Sequence, residues 1–141
     1  MPSFGLTITL EWTSLGELGL DEREKLVFPA AAHLPGLYRF ELKGFGRSEV
    51  YIGETDQLDR RFQHYRTPGL TQRTNIRLNA LMRQNLKEGG TVSINTITGG
   101  ADLLVKGNWR PADLRQKSER VLLEHAALYE AHSSDVGILN S

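Results

Sequence analysis

Gly36-Leu37-Tyr38, Tyr51-Ile52-Gly53 and Leu58-Asp59-Arg60-Arg61-Phe62-Gln63-His64-Tyr65 fall within one short stretch, residues 36–65. Two apolar runs, each with a tyrosine near a glycine, lead into a basic helix. Residues 37–42 and 49–52 read as strands. Lys43-Gly44-Phe45-Gly46-Arg47-Ser48 joins them, and its Gly-x-Gly supplies the positive dihedrals of a hairpin turn. It is not a dinucleotide loop, since a third glycine and an immediate helix are missing. A register that sets Phe40 opposite Tyr51 would place Tyr38, Phe40, Tyr51 and Gly53 on one face. A slip of one residue would separate the tyrosines, and the pattern alone allows both. Thr55 or Asp56 can cap a helix over residues 57–66, on which Leu58, Arg61, Phe62 and Tyr65 share a face. An arginine in an apolar stripe needs a compensating partner, either a structural salt bridge or a bound anion.

Working outward, Thr67-Pro68-Gly69 ends this helix. Thr74 or Asn75 can cap a second one over residues 76–87, which Gly89-Gly90 stops. Residues 91–97 alternate apolar and polar as a third strand. Gly99-Gly100 and residues 108–111 read as loop. Pro111 can open a last helix over residues 112–131, and residues 133–140 read as a loop beyond it. Upstream, residues 6–12 alternate as a half-buried strand. Residues 14–26 are acidic and glycine-interrupted, with at most one short helix at 21–25. Pro29 and Pro35 bracket an extended lead-in. Residues 1–35 are thus expected to be an extension packed on a core of residues 36–141, too short to bury a core of their own. The expected fold is α+β within the α/β class: a small three-stranded antiparallel sheet flanked by helices, with the extension available to add a strand.

On a helical wheel of residues 112–131, Leu114, Val121, Leu122, His125, Leu128 and Tyr129 gather into an apolar stripe. Glu124 lies at its border, while Glu119 and Glu130 point away. A border carboxylate is ordinarily solvated or paired with an arginine. Facing a cleft, one carboxylate with waters suits Mg²⁺, which keeps much of its hydration shell.

The 141 residues fit one domain and carry no cysteine, which removes disulfides, thiolate metal sites and cysteine nucleophiles. No apolar run approaches the roughly 20 residues of a membrane helix, and no secretory signal opens the chain. A cytoplasmic protein is the expectation. Formal net charge is zero, yet Arg60, Arg61, Arg66, Arg73, Arg77, Arg83 and Lys87 face only Asp59 across residues 58–87. Such a field suits a phosphate backbone, although a charge run is also what a solvated helical face looks like. His125 and His132 lack a third ligand at zinc spacing, and neither a nucleophile elbow nor a Walker loop is present.

The order strand, strand, helix, helix, strand, helix from Gly36 onward, with these motifs, resembles the GIY-YIG nuclease family. Leu37 stands for the isoleucine of the first motif, and Tyr51-Ile52-Gly53 matches the second literally. The family's helix arginine falls on Arg61, its following Tyr-or-His on Tyr65 with His64 as the alternative, its metal-binding glutamate on Glu124 in Leu122-Leu123-Glu124, and its near-terminal asparagine on Asn140. Two departures stand out. Glu54 follows Gly53 where several relatives carry a lysine, and the interval from Glu124 to Asn140 is longer and lacks their proline.

The resemblance implies a metal-dependent endonuclease that hydrolyses phosphodiester bonds in DNA at a one-metal site. Tyr38 would be the general base, Tyr51 and Tyr65 would orient water and phosphate, and Arg61 would clamp the phosphate. Glu124 would hold Mg²⁺, with Mn²⁺ able to substitute, and Gly53, His64 and Asn140 would support the site. Arg60, Arg66, Arg73, Arg77, Arg83 and Lys87 would track the nucleic-acid backbone, without reading sequence. With no separate recognition module in view, cutting would be structure-directed, weakly specific or targeted by a partner protein. The alternative is a catalytically silent nucleic-acid-binding module on the same fold.

Overall fold

The computed structural model describes residues 2–140; Met1 and Ser141, the ends of the two expected segments, lie outside the described residues. Its elements are β1 (Leu6–Leu10), β2 (Thr13–Glu17), β3 (Gly19–Leu20), β4 (Leu26–Val27), β5 (Gly36–Gly44), β6 (Arg47–Thr55), α1 (Leu58–Arg66), α2 (Arg73–Lys87), β7 (Thr91–Ile97), β8 (Ala101–Val105), β9 (Asn108–Pro111), α3 (Lys117–His132) and β10 (Gly137–Ile138). The fold is α+β, with antiparallel sheets and three helices. The core order β5, β6, α1, α2, β7, α3 is the one the resemblance implied. The three core strands sit centrally in a wider sheet of order β10-β6-β5-β7-β2.

β5 and β6 form a hairpin whose register sets Phe40 opposite Tyr51 and Tyr38 opposite Gly53. Its two-residue turn, Phe45-Gly46, has both φ values positive, at 53° and 73°. That is the primed geometry that matches strand twist. Strand alternation then sorts the side chains. Tyr38, Phe40 and Leu42 meet Leu58, Phe62, Tyr65, Leu78 and Met82 of α1 and α2. On the other face Val50 and Ile52 meet Ala127 and Ala131 of α3, and Leu37 meets Leu103 and Leu123. One sheet therefore separates α1 and α2 from α3.

The extension is more strand-rich than its glycines suggested. β2 lies antiparallel to β7 with a bulge between Ser14 and Gly16. β3 and β4 pair in a small hairpin where a short helix was the expectation; there the Asp21 carboxylate accepts from the Arg23 and Lys25 amides, which closes a turn instead. β1 joins β8 and β9 in a second sheet. The expected loop at 108–111 is an edge strand, because Lys106-Gly107, with φ of 50° and 80°, makes another two-residue hairpin turn.

Helix starts also differ from expectation. α2 begins at Arg73, with Gln72 at the cap position. The Gln72 side-chain oxygen accepts from the Gly69 amide and from Asn75 Nδ2, so Asn75 lies inside the helix and caps nothing. α3 begins at Lys117 and not at 112. Pro111 pairs with Asp102 in β9, and Asp113 accepts from the Arg115 amide, which delays the helix by a turn. The tail 133–140 is not loop throughout, since β10 adds a short parallel strand beside β6.

Candidate active site

Two glycines let the tyrosines meet. A Cβ on Gly53 would lie 2.4 Å from the Tyr38 hydroxyl and ring Cζ, so the ring crosses the bare backbone of β6. A Cβ on Gly36 would lie 2.4 Å from the Ile97 carbonyl oxygen, so β5 and β7 close only over a glycine. Tyr38 packs edge-on to Phe62 and Tyr65, with ring centroids 5.7 and 5.8 Å away. Its hydroxyl is hydrogen-bonded to the Tyr65 hydroxyl at 2.6 Å. Both tyrosines are fully buried, while Tyr51, 6.4 Å from Tyr38 between ring centroids, is only half-buried.

Burial pushes the Tyr38 phenol well above its ordinary range, and the Arg61 charge opposes that rise. Burial raises Tyr65 as well, with Tyr38 adding to it. Arg61, half-buried on α1, lies within electrostatic reach of both hydroxyls. Glu124 is half-buried on α3, and burial, then the Glu54 carboxylate, raise its acid above the ordinary glutamate value, against the pull of His125, the Glu54 backbone and Arg61. The structure thus gathers Tyr38, Tyr51, Tyr65, Arg61 and Glu124 around one end of β5 and β6. His64 is half-buried on α1, one residue before Tyr65.

Asn140 acts from the tail. Its side-chain oxygen accepts from the Ile52 amide at 3.1 Å, and its Nδ2 donates to the Ile52 carbonyl at 2.7 Å. Leu139 donates its amide to the Val50 carbonyl just before it. The amide side chain therefore copies one further rung of the β10–β6 ladder, beside Gly53. An aspartate could accept from Ile52 but not donate to it. Asn140→Asp is expected to cost about 1–3 kcal/mol, the scale of one lost and unsatisfied hydrogen bond, read by urea denaturation.

The buried face of α3 is not the stripe the wheel gathered. Arg120, Leu123, Ala127 and Ala131 face inward, whereas Tyr129 is 77% exposed and His125 lies open. Glu124 lies on the Arg120–Ala131 side, closer to the interior than a border position. Glu54, which stands in the sequence only as a departure from the family's lysine, has a partner that the pattern does not name: Arg120, paired with it at 2.8 Å and almost wholly buried. The available signal was an arginine four residues before the candidate carboxylate, on the same helical face.

The expected basic track is largely engaged within the chain. Arg60 pairs with Asp56 at 2.6 Å. Arg66 donates to the Leu26 carbonyl and pairs with Asp21. Arg83 donates to the Glu24 carbonyl, and Lys87 pairs with the Glu24 carboxylate. The acidic β3–β4 turn is thus seated on the basic side of α1 and α2. Arg77 donates to the Leu139 carbonyl at 3.0 Å, which places it beside the Asn140 end of the site, and Arg73 opens α2 exposed.

A carboxylate lifted by burial and a like charge gains when a divalent cation arrives. Among the described residues no ion pair holds Glu124. Nor does any group of three or more His, Asp or Glu side chains assemble there. That donor set fits a hydrated hard cation such as Mg²⁺ better than an all-protein cage.

A solved structure shares this fold. A mutant form of bacteriophage T4 EndoII matches with a TM-score of 0.56 at 21% identity, over 84% of this chain and 88% of that one. No protein-family model matches the chain, and no curated protein does. Among the described residues no helix is long and apolar enough to cross a membrane.

Proposed function

We propose that this chain is a metal-dependent endonuclease of the GIY-YIG type, hydrolysing phosphodiester bonds in DNA. The observation that carries the reading is the convergence of the Tyr38–Tyr65 hydroxyl pair, Arg61 and Glu124 at one end of β5 and β6. The likeness to the T4 EndoII fold supports it. Mg²⁺ or Mn²⁺, when bound, would supply Lewis-acid stabilisation of the developing charge and the leaving oxygen. Glu124 would hold it. Arg61 presents a planar fork that holds a non-bridging phosphate oxygen and binds it more strongly as charge builds. Tyr51, less buried than its partners, orients the attacking water, and Tyr65 fixes the Tyr38 hydroxyl.

Tyr38 takes the water's proton. Burial keeps its phenol protonated at neutral pH, so the reactive form is a minority that grows with pH. The cleavage rate is therefore expected to rise with a slope of about one log unit per pH unit from about pH 7 to 9. Tyr38→Phe is expected to lose that slope and about 10²–10⁴ in rate, measured by single-turnover assays with labelled DNA.

Arg73, exposed at the start of α2, and Arg77, held to a backbone carbonyl and not to an acid, carry the contacts to the DNA backbone, whereas Arg60, Arg66 and Lys87 join them only by leaving a carboxylate and Arg83 only by leaving the Glu24 carbonyl. Each of Arg73→Ala and Arg77→Ala is expected to reduce the salt dependence of DNA binding by about one unit of log–log slope. The substrate panel that tests the function is single-stranded, duplex and branched DNA with Mg²⁺ or Mn²⁺, alongside RNA. The full burial of Tyr38 favours one other reading, a silent nucleic-acid-binding module. Binding without cleavage on every substrate would establish it.

A further inference from the structure

Arg120 is 5% exposed and sits one helical turn before Glu124 on the same face of α3. Its Nε donates to Glu54 Oε2 at 2.8 Å. Its Nη1 donates to the Leu114 carbonyl at 2.9 Å and the Arg115 carbonyl at 3.2 Å. One guanidinium thus ties together the strand that carries Tyr51, the turn before α3 and α3 itself. Glu54 shares its face of β6 with Val50 and Ile52, the face on which Ala127 and Ala131 pack.

α3 packs on the sheet through Ala127 and Ala131 against Val50 and Ile52 and through Leu123 against Leu37 and Leu103, all of them non-directional apolar contacts. A slide of about 1.5 Å moves every helical side chain by one residue's rise. A charge-assisted hydrogen bond tolerates only a few tenths of an ångström. Stability does not explain the pair, because removing two charges from water costs several kcal/mol each, and apolar replacements of such pairs are often neutral or stabilising. Setting register is the best-attested use of buried polar pairs.

Resting on the nuclease reading, we propose that Glu54 and Arg120 form a positioning pair. They fix α3 on β6 at the register that presents Glu124 to the site, and Arg120 keeps Glu54 occupied so that a divalent cation takes Glu124.

The test compares the full chain with Glu54→Leu/Arg120→Met, Arg120→Lys and Glu124→Ala. Three readouts are taken: melting temperature, Mn²⁺ affinity by electron paramagnetic resonance, and kcat and KM on DNA. The double variant is expected to stay folded but to melt below wild type, because the Leu114 and Arg115 carbonyls lose their donor, and to bind Mn²⁺ about 10–100-fold more weakly. Its kcat is expected to fall in parallel, with KM for DNA little changed. Should the double variant not fold, Arg120→Lys, which keeps the charge and loses the fork, is held to the same expectations. Folded pair variants with wild-type Mn²⁺ affinity, while Glu124→Ala loses binding, would overturn the inference and leave the nuclease reading standing. Mn²⁺ binding that Glu124→Ala leaves untouched would remove both. If wild type binds Mn²⁺ through Glu124 but cuts nothing tried, the Mn²⁺ comparison alone decides the inference.

Discussion

Glu124→Gln is expected to lower DNA cleavage by about 10²–10³-fold or more, the scale on which loss of one transition-state electrostatic contact acts. The same substitution is expected to stabilise the protein when metal is chelated. Burial and the Glu54 charge raise the Glu124 acid above its unfolded value. A carboxyl raised in this way contributes stability below its unfolded pKa, and that stability is lost as pH rises through the folded one. At pH 7–8 the wild type therefore carries a penalty that glutamine lacks, and the variant melts higher. The difference vanishes as pH falls towards about 4, where an ordinary glutamate takes up its proton. Saturating Mg²⁺ reverses the order, because it binds the folded wild type and leaves the variant unchanged. Thermal melts at two pH values, with chelator and with Mg²⁺, check all three signs.

Gly53→Ala is the second large effect, and its cause is space. The added methyl would meet the Tyr38 ring and hydroxyl at 2.4 Å, and that ring is fully buried against Phe40, Phe62 and Tyr65. Nothing there is the free end of a flexible side chain. Overpacking of this kind costs about 1–3 kcal/mol or more. Relief requires Tyr38 to leave the Tyr65 hydroxyl, so activity is expected to fall further than stability does. Gly46→Ala offers a contrast: its left-handed φ is the only obstacle, with open space around the Cβ. It is expected to cost about 1 kcal/mol, the scale of left-handed backbone in a non-glycine residue, and to leave cleavage intact. Urea denaturation and cleavage rates measured side by side separate the two cases.

These glycines also show why part of the molecule was readable beforehand. The tyrosines and glycines mark β5 and β6 as strands, while the register that puts the tyrosines on one face was open to the pattern and is set by the Phe45-Gly46 turn. α1 and β7 were legible because periodicity in each reports one buried face. α3 differs from its wheel. His125 and Tyr129 pull the apolar stripe toward the exposed side, with Leu122 and Leu128 only partly buried, while the inward face is made of alanines, Leu123 and a buried arginine. Neither alanine nor a paired arginine announces burial by hydropathy. The seating of the acidic β3–β4 turn on Arg66, Arg83 and Lys87 depends on charges 40 or more residues apart. No local pattern carries such a pairing. The β8–β9 hairpin was hidden in a simpler way: Lys106-Gly107 is weak turn chemistry beside the louder Gly99-Gly100.

The proposed cutting of DNA through Glu124 is decided by nicking of supercoiled plasmid in Mg²⁺, with wild type and Glu124→Gln purified in parallel. Wild type is expected to leave nicks that chelation abolishes and that Glu124→Gln fails to produce. Cleavage that survives chelation, or that Glu124→Gln performs at the wild-type rate, would contradict it.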